Sequence, residues 1–359
     1  VDYADWNGRI VMGCNDASNF SSPLAGRVHS NFLFVEKDQV DDYGGPPAGF
    51  GGVWLNETVT AGQFSDPLLV AGFQKRTLHL AHGTNVPIQF TIEMDAAGDG
   101  NWTRYKTVTV GTNGYAYDLL PATFAAPWLR FAVDQTAPSV SAFMTGGSGA
   151  RAADAALTAS LASANPAAPL SQGILKVSTA SDYPLQHAAD VLDASGQKVG
   201  GGFYVASPGA TNPIVLQRVN DPTTEASLRA SAATTQDFEV DTASVVMTNG
   251  GMRYRLPRSN AAFDTATASG WRRGIREVVT ERQLMNIHGT IYELPRDDSG
   301  GMRGIRPVTT HGRQIFDFTT WRGLLVIAGN LTSATNDGHY VRSDDGLVGL
   351  WFGNVDDLW

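Results

Sequence analysis

The chain has one cysteine, Cys14, in 359 residues. An intrachain disulfide is therefore excluded, and the fold must rest on its apolar core, for which this length is ample. Charge is sparse at 17%, and its balance is acidic, with a formal net of −9. A general nucleic-acid binder or a binder of anionic membranes needs basic surface, so neither is expected. No apolar run approaches the roughly 20 residues that a membrane-crossing helix needs. The chemical signatures G-x-S-x-G and H-E-x-x-H, a phosphate-binding loop and a dinucleotide fingerprint are all missing. Long helical patterns are also scarce.

What the chain does have is glycine, 39 residues of it, between short apolar runs rich in β-formers. That suits many tight turns between strands. The clearest organisation is a repeat. Arg273-Gly274-Ile275-Arg276-Glu277-Val278-Val279-Thr280-Glu281 is echoed by Arg303-Gly304-Ile305-Arg306-Pro307-Val308-Thr309-Thr310-His311. Each copy leads to a glycine and a β-rich run, Gly289 to Arg296 and Gly323 to Asn330, with Gly251 to Arg258 one unit earlier. Residues 5–14 match residues 320–329, so the first and last units are copies that could close a ring. Anchors at this spacing, with no helix between them, predict a blade array. At roughly 40–50 residues per four-stranded blade, the length allows seven or eight units. The expectation is an all-β, single-domain β-propeller over residues 1–359, with seven blades of four antiparallel strands.

Within it, residues 44–63 read as a long loop. Strands are expected at Leu78-His79-Leu80, Ile88 to Met94, Lys106 to Val110, Trp128 to Val133 and Gly173 to Val177. Residues 95–100 read as a hairpin turn. Asp95 and Asp99 there also faintly resemble a calcium loop, but the remaining carboxylates are missing, so a structural calcium ion is the lesser reading. No cofactor is required. Residues 145–172, rich in Ala, Ser and Gly, read as a surface insertion. Four N-x-S/T tripeptides begin at Asn19, Asn56, Asn101 and Asn330. With the lone cysteine they tilt the reading toward a secreted, glycosylated monomer.

In a propeller, connectors entering inner strands converge beside the channel, where ligands commonly bind. The two connectors of the repeat concentrate Glu281, Arg282, Asn286 and His288 in one copy and His311 and Arg313 in the other. Arginines there suit a carboxylate, which they grip in bidentate fashion. Histidines suit proton transfer. The predicted site therefore has His288 and His311 as proton-transfer groups, with Tyr292 or Tyr254 as the alternative. Arg282, Arg306, Arg313, Asn286 and Glu281 would hold an anionic sugar, with no metal. The competing reading makes the recurrent arginines ties between blades. His79 and His82, alternating with Leu78 and Leu80, read as satisfied structural histidines.

Thr280-Glu281-Arg282-Gln283-Leu284-Met285-Asn286-Ile287-His288-Gly289 with Tyr292-Glu293-Leu294-Pro295 resembles a motif of secreted β-propeller proteins of carbohydrate metabolism. So do Phe318-Thr319-Thr320-Trp321-Arg322-Gly323-Leu324-Leu325 and Ser65-Asp66-Pro67-Leu68-Leu69 with Leu78-His79-Leu80. The group most similar is the seven-bladed L-rhamnose-α-1,4-D-glucuronate lyases and their glycosidase-like relatives. The similarity covers most of the chain outside about 145–240. It implies a polysaccharide lyase that releases terminal rhamnose from glucuronate, as on arabinogalactan side chains, by removing the C5 proton and expelling O4. The partner would be a uronate-containing oligosaccharide or polysaccharide. A hydrolase of the same linkage and a non-catalytic sugar-binding propeller are the alternatives.

Overall fold

The computed structural model describes residues 2–14, 31–36, 47–147, 161, 170–209, 214–231, 238–263, 275–279, 282–296, 300–329 and 340–353. Those residues are all-β apart from one α-helix and short 3-10 turns. Strands β1 (Asp2–Trp6), β2 (Arg9–Cys14) and β3 (Asn31–Glu36) form an antiparallel sheet in chain order. Among the described residues no other strand pairs with it. Its sequence match to residues 320–329 is therefore not accompanied by pairing that closes a ring.

The next eight strands are β4 (Gly49–Val59), β5 (Leu68–Leu69), β6 (Lys75–Ala81), β7 (Ile88–Asp95), β8 (Trp102–Val110), β9 (Tyr115–Leu120), β10 (Trp128–Val133) and β11 (Ala137–Gly147). They do not follow one another as blades do. One sheet runs β4-β11-β6-β9, and a second contains β5-β10-β7-β8. Alternation turns Leu78 and Leu80 of β6 and Ile88, Phe90 and Ile92 of β7 inward, all fully buried. With Phe131 and Met144 they make one shared core. Each such side chain contributes about 1.5–3 kcal/mol through burial. Residues 49–147 are thus a two-layer sandwich and depart from the blade reading. Alternation foretells a one-sided strand but not its partner, which long-range packing chooses. The expected loop at 44–63 is corrected too, because β4 occupies most of it. Gly52 lies there because a Cβ would run into Ala142 O and the Phe143 ring, a close approach that only glycine permits.

Among the described residues, four further antiparallel units follow. The first is β12 (Leu170–Val177), β13 (Leu185–Leu192), β14 (Lys198–Ser207) and β15 (Val215–Val219). Helix α1 (Pro222–Ser231) follows and was not foreseen. Its signal is Asp221-Pro222-Thr223-Thr224-Glu225: the Asp221 carboxylate accepts from Thr224 N–H at 2.9 Å, and proline suits the first helical position. Next, β16 (Phe238–Val240), β17 (Val245–Asn249) and β18 (Met252–Leu256) form a meander. Strand β18 pairs with β5 in parallel, so the meander joins one sandwich sheet into seven strands. Then come β19 (Ile275–Val279), β20 (Arg282–Ile287), β21 (Thr290–Leu294) and β22 (Arg306–Thr310), followed by β23 (Ile315–Trp321), β24 (Leu324–Gly329), β25 (Tyr340–Arg342) and β26 (Gly349–Gly353).

The repeat now has a physical meaning. Its glycine anchors are hairpin tips. Asn7-Gly8, Gly250-Gly251, His288-Gly289 and Arg322-Gly323 all have two consecutive positive φ values, the requirement of a two-residue turn matched to strand twist. The Arg-Gly-Ile-Arg copies, however, do not open successive sheets. They end in β19 and β22, the two edges of a single sheet. The 145–172 insertion lies mostly outside the described residues. Leu161 within it is buried.

Candidate functional site

The sandwich meets the later sheets along a seam. Of the predicted site residues, Tyr254 lies in it, and His288, bonded to Ser259, Tyr292, bonded to Pro257, and His311, following Thr310, stand beside it. Ala48 exchanges hydrogen bonds with Thr310 Oγ1 at 3.0 and 3.1 Å. Phe50 pairs its backbone with Arg258. The Trp128 indole N–H donates to Arg303 O at 2.6 Å, and Arg303 Nη1 donates to Asp99 O at 2.6 Å. Tyr254 is buried in the same seam, with its ring 5.3 Å from Trp128. Its hydroxyl accepts from Arg303 Nε at 3.4 Å. Arg303 is therefore a tie between layers, as the structural reading of the recurrent arginines expected. The Asp95 carboxylate accepts from Asp99 and Gly100 N–H groups, which is the bonding of a hairpin turn. Among the described residues, no three His, Cys, Asp or Glu side chains gather as metal ligands.

The connector after β22 carries His311 beside Asn286 of β20. His311 Nδ1 accepts from Arg313 N–H at 2.9 Å, which leaves the ring proton on Nε2. Nε2 lies 2.9 Å from Asn286 Oδ1 and donates to it. Asn286 Nδ2 in turn donates to Ile315 O at 3.0 Å. Burial, helped by the nearby Arg313 charge, lowers the His311 pKa to about 3. The ring is thus neutral at physiological pH with both nitrogens engaged. Arg313 Nη1 donates to Leu161 O at 3.0 Å. Burial also lowers the pKa of the guanidinium, since removing a cation from water disfavours its charge.

His288 sits at the β20–β21 tip, buried, with φ 51. Its Nδ1 accepts from Ser259 N–H at 3.1 Å, its carbonyl accepts from Ser259 Oγ, and its ring meets Phe263 edge-on. Tyr292 is buried, donates to Pro257 O at 3.3 Å, and has its pKa pushed up by burial. Arg306 stands apart on an exposed edge, paired with Glu293. Arg282 opens β20, and Glu281 lies outside the described residues. The structure therefore brings Asn286, His311 and Arg313 into one bonded group, with His288 and Tyr292 on the same hairpin. Tyr254 and Arg306 do different work.

The two histidines read as satisfied structural groups, His79 and His82, do have their ring nitrogens engaged. His82 is buried as expected, with Nε2 at Val110 O. His79 projects from the outer sandwich face, where Nδ1 lies 2.7 Å from Tyr115 OH and Nε2 lies 3.1 Å from Thr145 Oγ1. The available signal was alternation itself, since His79 must face away from Leu78 and Leu80.

No protein-family model matches the chain, and no curated protein matches it.

Proposed function

We propose that the protein is a secreted carbohydrate-active protein that binds the uronate end of a rhamnosyl-α-1,4-glucuronate glycan at the seam and cleaves it by β-elimination. In this reading the four- and three-stranded meanders are propeller blades, and the sandwich is an insertion between them. The observation that carries the proposal is the half-buried Arg313 guanidinium, bonded to Leu161 O beside neutral His311, with its pKa lowered by partial burial. A partly desolvated guanidinium pairs well with an arriving carboxylate, and its grip strengthens as charge develops on an enolate-like intermediate.

Elimination also needs a base. With its pKa near 3, His311 is too weak. It positions Asn286 and the Arg313 backbone instead. Tyr292, raised by burial, stays protonated. His288 is the remaining imidazole. Freeing its Nδ1 from Ser259 N–H costs about one hydrogen bond, roughly 0.5–1.5 kcal/mol, so the base role is assigned to it.

A non-catalytic sugar-binding protein is the second reading. The full engagement of His311 favours it.

Incubation with gum arabic or a rhamnosyl-glucuronate disaccharide separates the outcomes. Elimination creates a conjugated double bond that absorbs in the ultraviolet. Rhamnose released without that absorbance would establish a hydrolase, and binding without turnover would establish the second reading. Under the elimination reading, His288→Ala lowers turnover by about 10²–10⁴-fold while the protein stays folded. Arg313→Lys harms both KM and kcat, because a point charge replaces a planar fork.

A further inference from the structure

The outer face of the sheet β4-β11-β6-β9 has a composition unlike the rest of this acidic chain. Tyr115, Tyr117 and Leu119 alternate outward along β9 and are 58%, 64% and 65% exposed. Between them Ala116 turns toward the core. Tyr117 stands opposite His79 and Leu119 opposite Thr77 of β6. One strand further, Phe143 and Thr145 of β11 stand opposite the same two residues. Phe143 stacks on Phe50 of β4 with ring centroids 6.2 Å apart, and its ring fills the space left by Gly52. His79 stacks on Tyr115 at 6.0 Å and bonds to it. The rows between Lys75 at one end and residues 55–58 at the other carry no Asp, Glu, Lys or Arg on this face. Arg258 lies only at the far corner, over Phe50.

We infer that this face is a second site, a platform for an uncharged polysaccharide strand. The inference rests on the reading of the protein as carbohydrate-directed but uses none of the seam residues. The occupant follows from complementarity. A neutral sugar chain presents apolar C–H faces flanked by hydroxyls. The sheet presents exposed ring faces flanked by the hydroxyls of Tyr117 and Thr77 and by those of Tyr115 and Thr145, which the His79 imidazole holds in place. Tyr115 and Tyr117 are two residues apart on one strand, so their Cα atoms are roughly 6–7 Å apart, comparable to one pyranose unit. Rigid rings on a sheet lose little entropy on binding. An anionic strand gains nothing here, because the central rows offer no cation. A nucleic acid is disfavoured for the same reason.

The probes are neutral polysaccharides cast into native gels: carboxyl-reduced gum arabic, arabinoxylan and hydroxyethyl cellulose. The wild type is expected to be retarded by at least one of them. Tyr115→Ala and Tyr117→Ala are each expected to weaken binding on the order of tenfold, and Tyr117→Trp should preserve it. Tyr117 is 64% exposed, so thermal melting of Tyr117→Ala should be unchanged and its loss of retardation cannot be blamed on unfolding, whereas Tyr115→Ala also removes the bond to His79 and is read beside its melting temperature. Three results would each overturn the platform: no retardation in any neutral gel, equal retardation of the double Tyr115→Ala/Tyr117→Ala variant, or a concentration-dependent dimer that Tyr117→Ala abolishes. The last would make the face a self-association surface through edge strand β9. Ultraviolet absorbance from the disaccharide reports on the seam alone. Its absence with gel retardation intact would refute elimination and leave the platform standing.

Discussion

Replacing His311 by asparagine tests whether this ring is a structural neutral group or a proton carrier. An imidazole titrates near 6.5 in an unfolded chain, and the half-buried ring of His311 near 3. Between those values the unfolded chain binds the extra proton and the folded one does not. The stabilisation is therefore complete above about pH 6.5 and is lost as the pH falls toward 3. By pH 5 the loss attributable to this one ring is about 2 kcal/mol. His187 is buried, donates Nδ1–H to Ile174 O and is lowered to about 4, so it adds a similar loss over the same interval. Asparagine at 311 can present its side-chain oxygen to Arg313 N–H in the same i to i+2 geometry, and it does not titrate. Urea unfolding at pH 7 and pH 5 is the assay. The wild type should lose about 2 kcal/mol more than His311→Asn between the two. Equal losses would refute the neutral ring and return His311 to the set of proton-transfer groups.

Gly251 and Gly289 both sit in hairpin tips at φ 78, but a Cβ on Gly251 meets nothing within 4 Å, whereas one on Gly289 meets Phe263 and Ser259 at 2.6 Å. Gly251→Ala should cost about 1–2 kcal/mol for the left-handed backbone, and Gly289→Ala roughly 1–3 kcal/mol more for overpacking; equal urea midpoints would contradict the packing around His288. Tyr292→Phe removes one long bond to Pro257 O and should cost about 1 kcal/mol with turnover retained. Abolished turnover at unchanged melting temperature would put the hydroxyl in the chemistry. Arg306→Ala breaks an ion pair whose arginine is 55% exposed. It should shift stability by less than about 1 kcal/mol, and a melting loss of many degrees would show that the pair holds the β21–β22 edge.

Much of the local structure was legible from residues alone. Alternation located β7 and the Leu78-His79-Leu80 stretch of β6, because a one-sided strand must repeat every two residues, and the turn at 95–100 was carried by its Asp and Gly residues. The glycine anchors marked real hairpin tips, because two consecutive positive φ values all but require glycine at the second position. Asp221-Pro222-Thr223-Thr224-Glu225 carried a helix start that went unread. Partner choice could not be seen in the sequence. Whether β7 lies beside β8 alone or also beside β10, and whether β22 starts a new sheet or edges the old one, depends on which apolar faces meet across a hundred residues of chain. The same limit governed the site. His288, His311 and Asn286 could be grouped from the connectors, but only the tertiary structure decided that His311 is wrapped in bonds to Asn286 and the Arg313 backbone. It also decided that Arg303 is a tie and that His79 faces solvent, because burial and hydrogen bonding are properties of the assembled layers and set whether an imidazole can hold a proton.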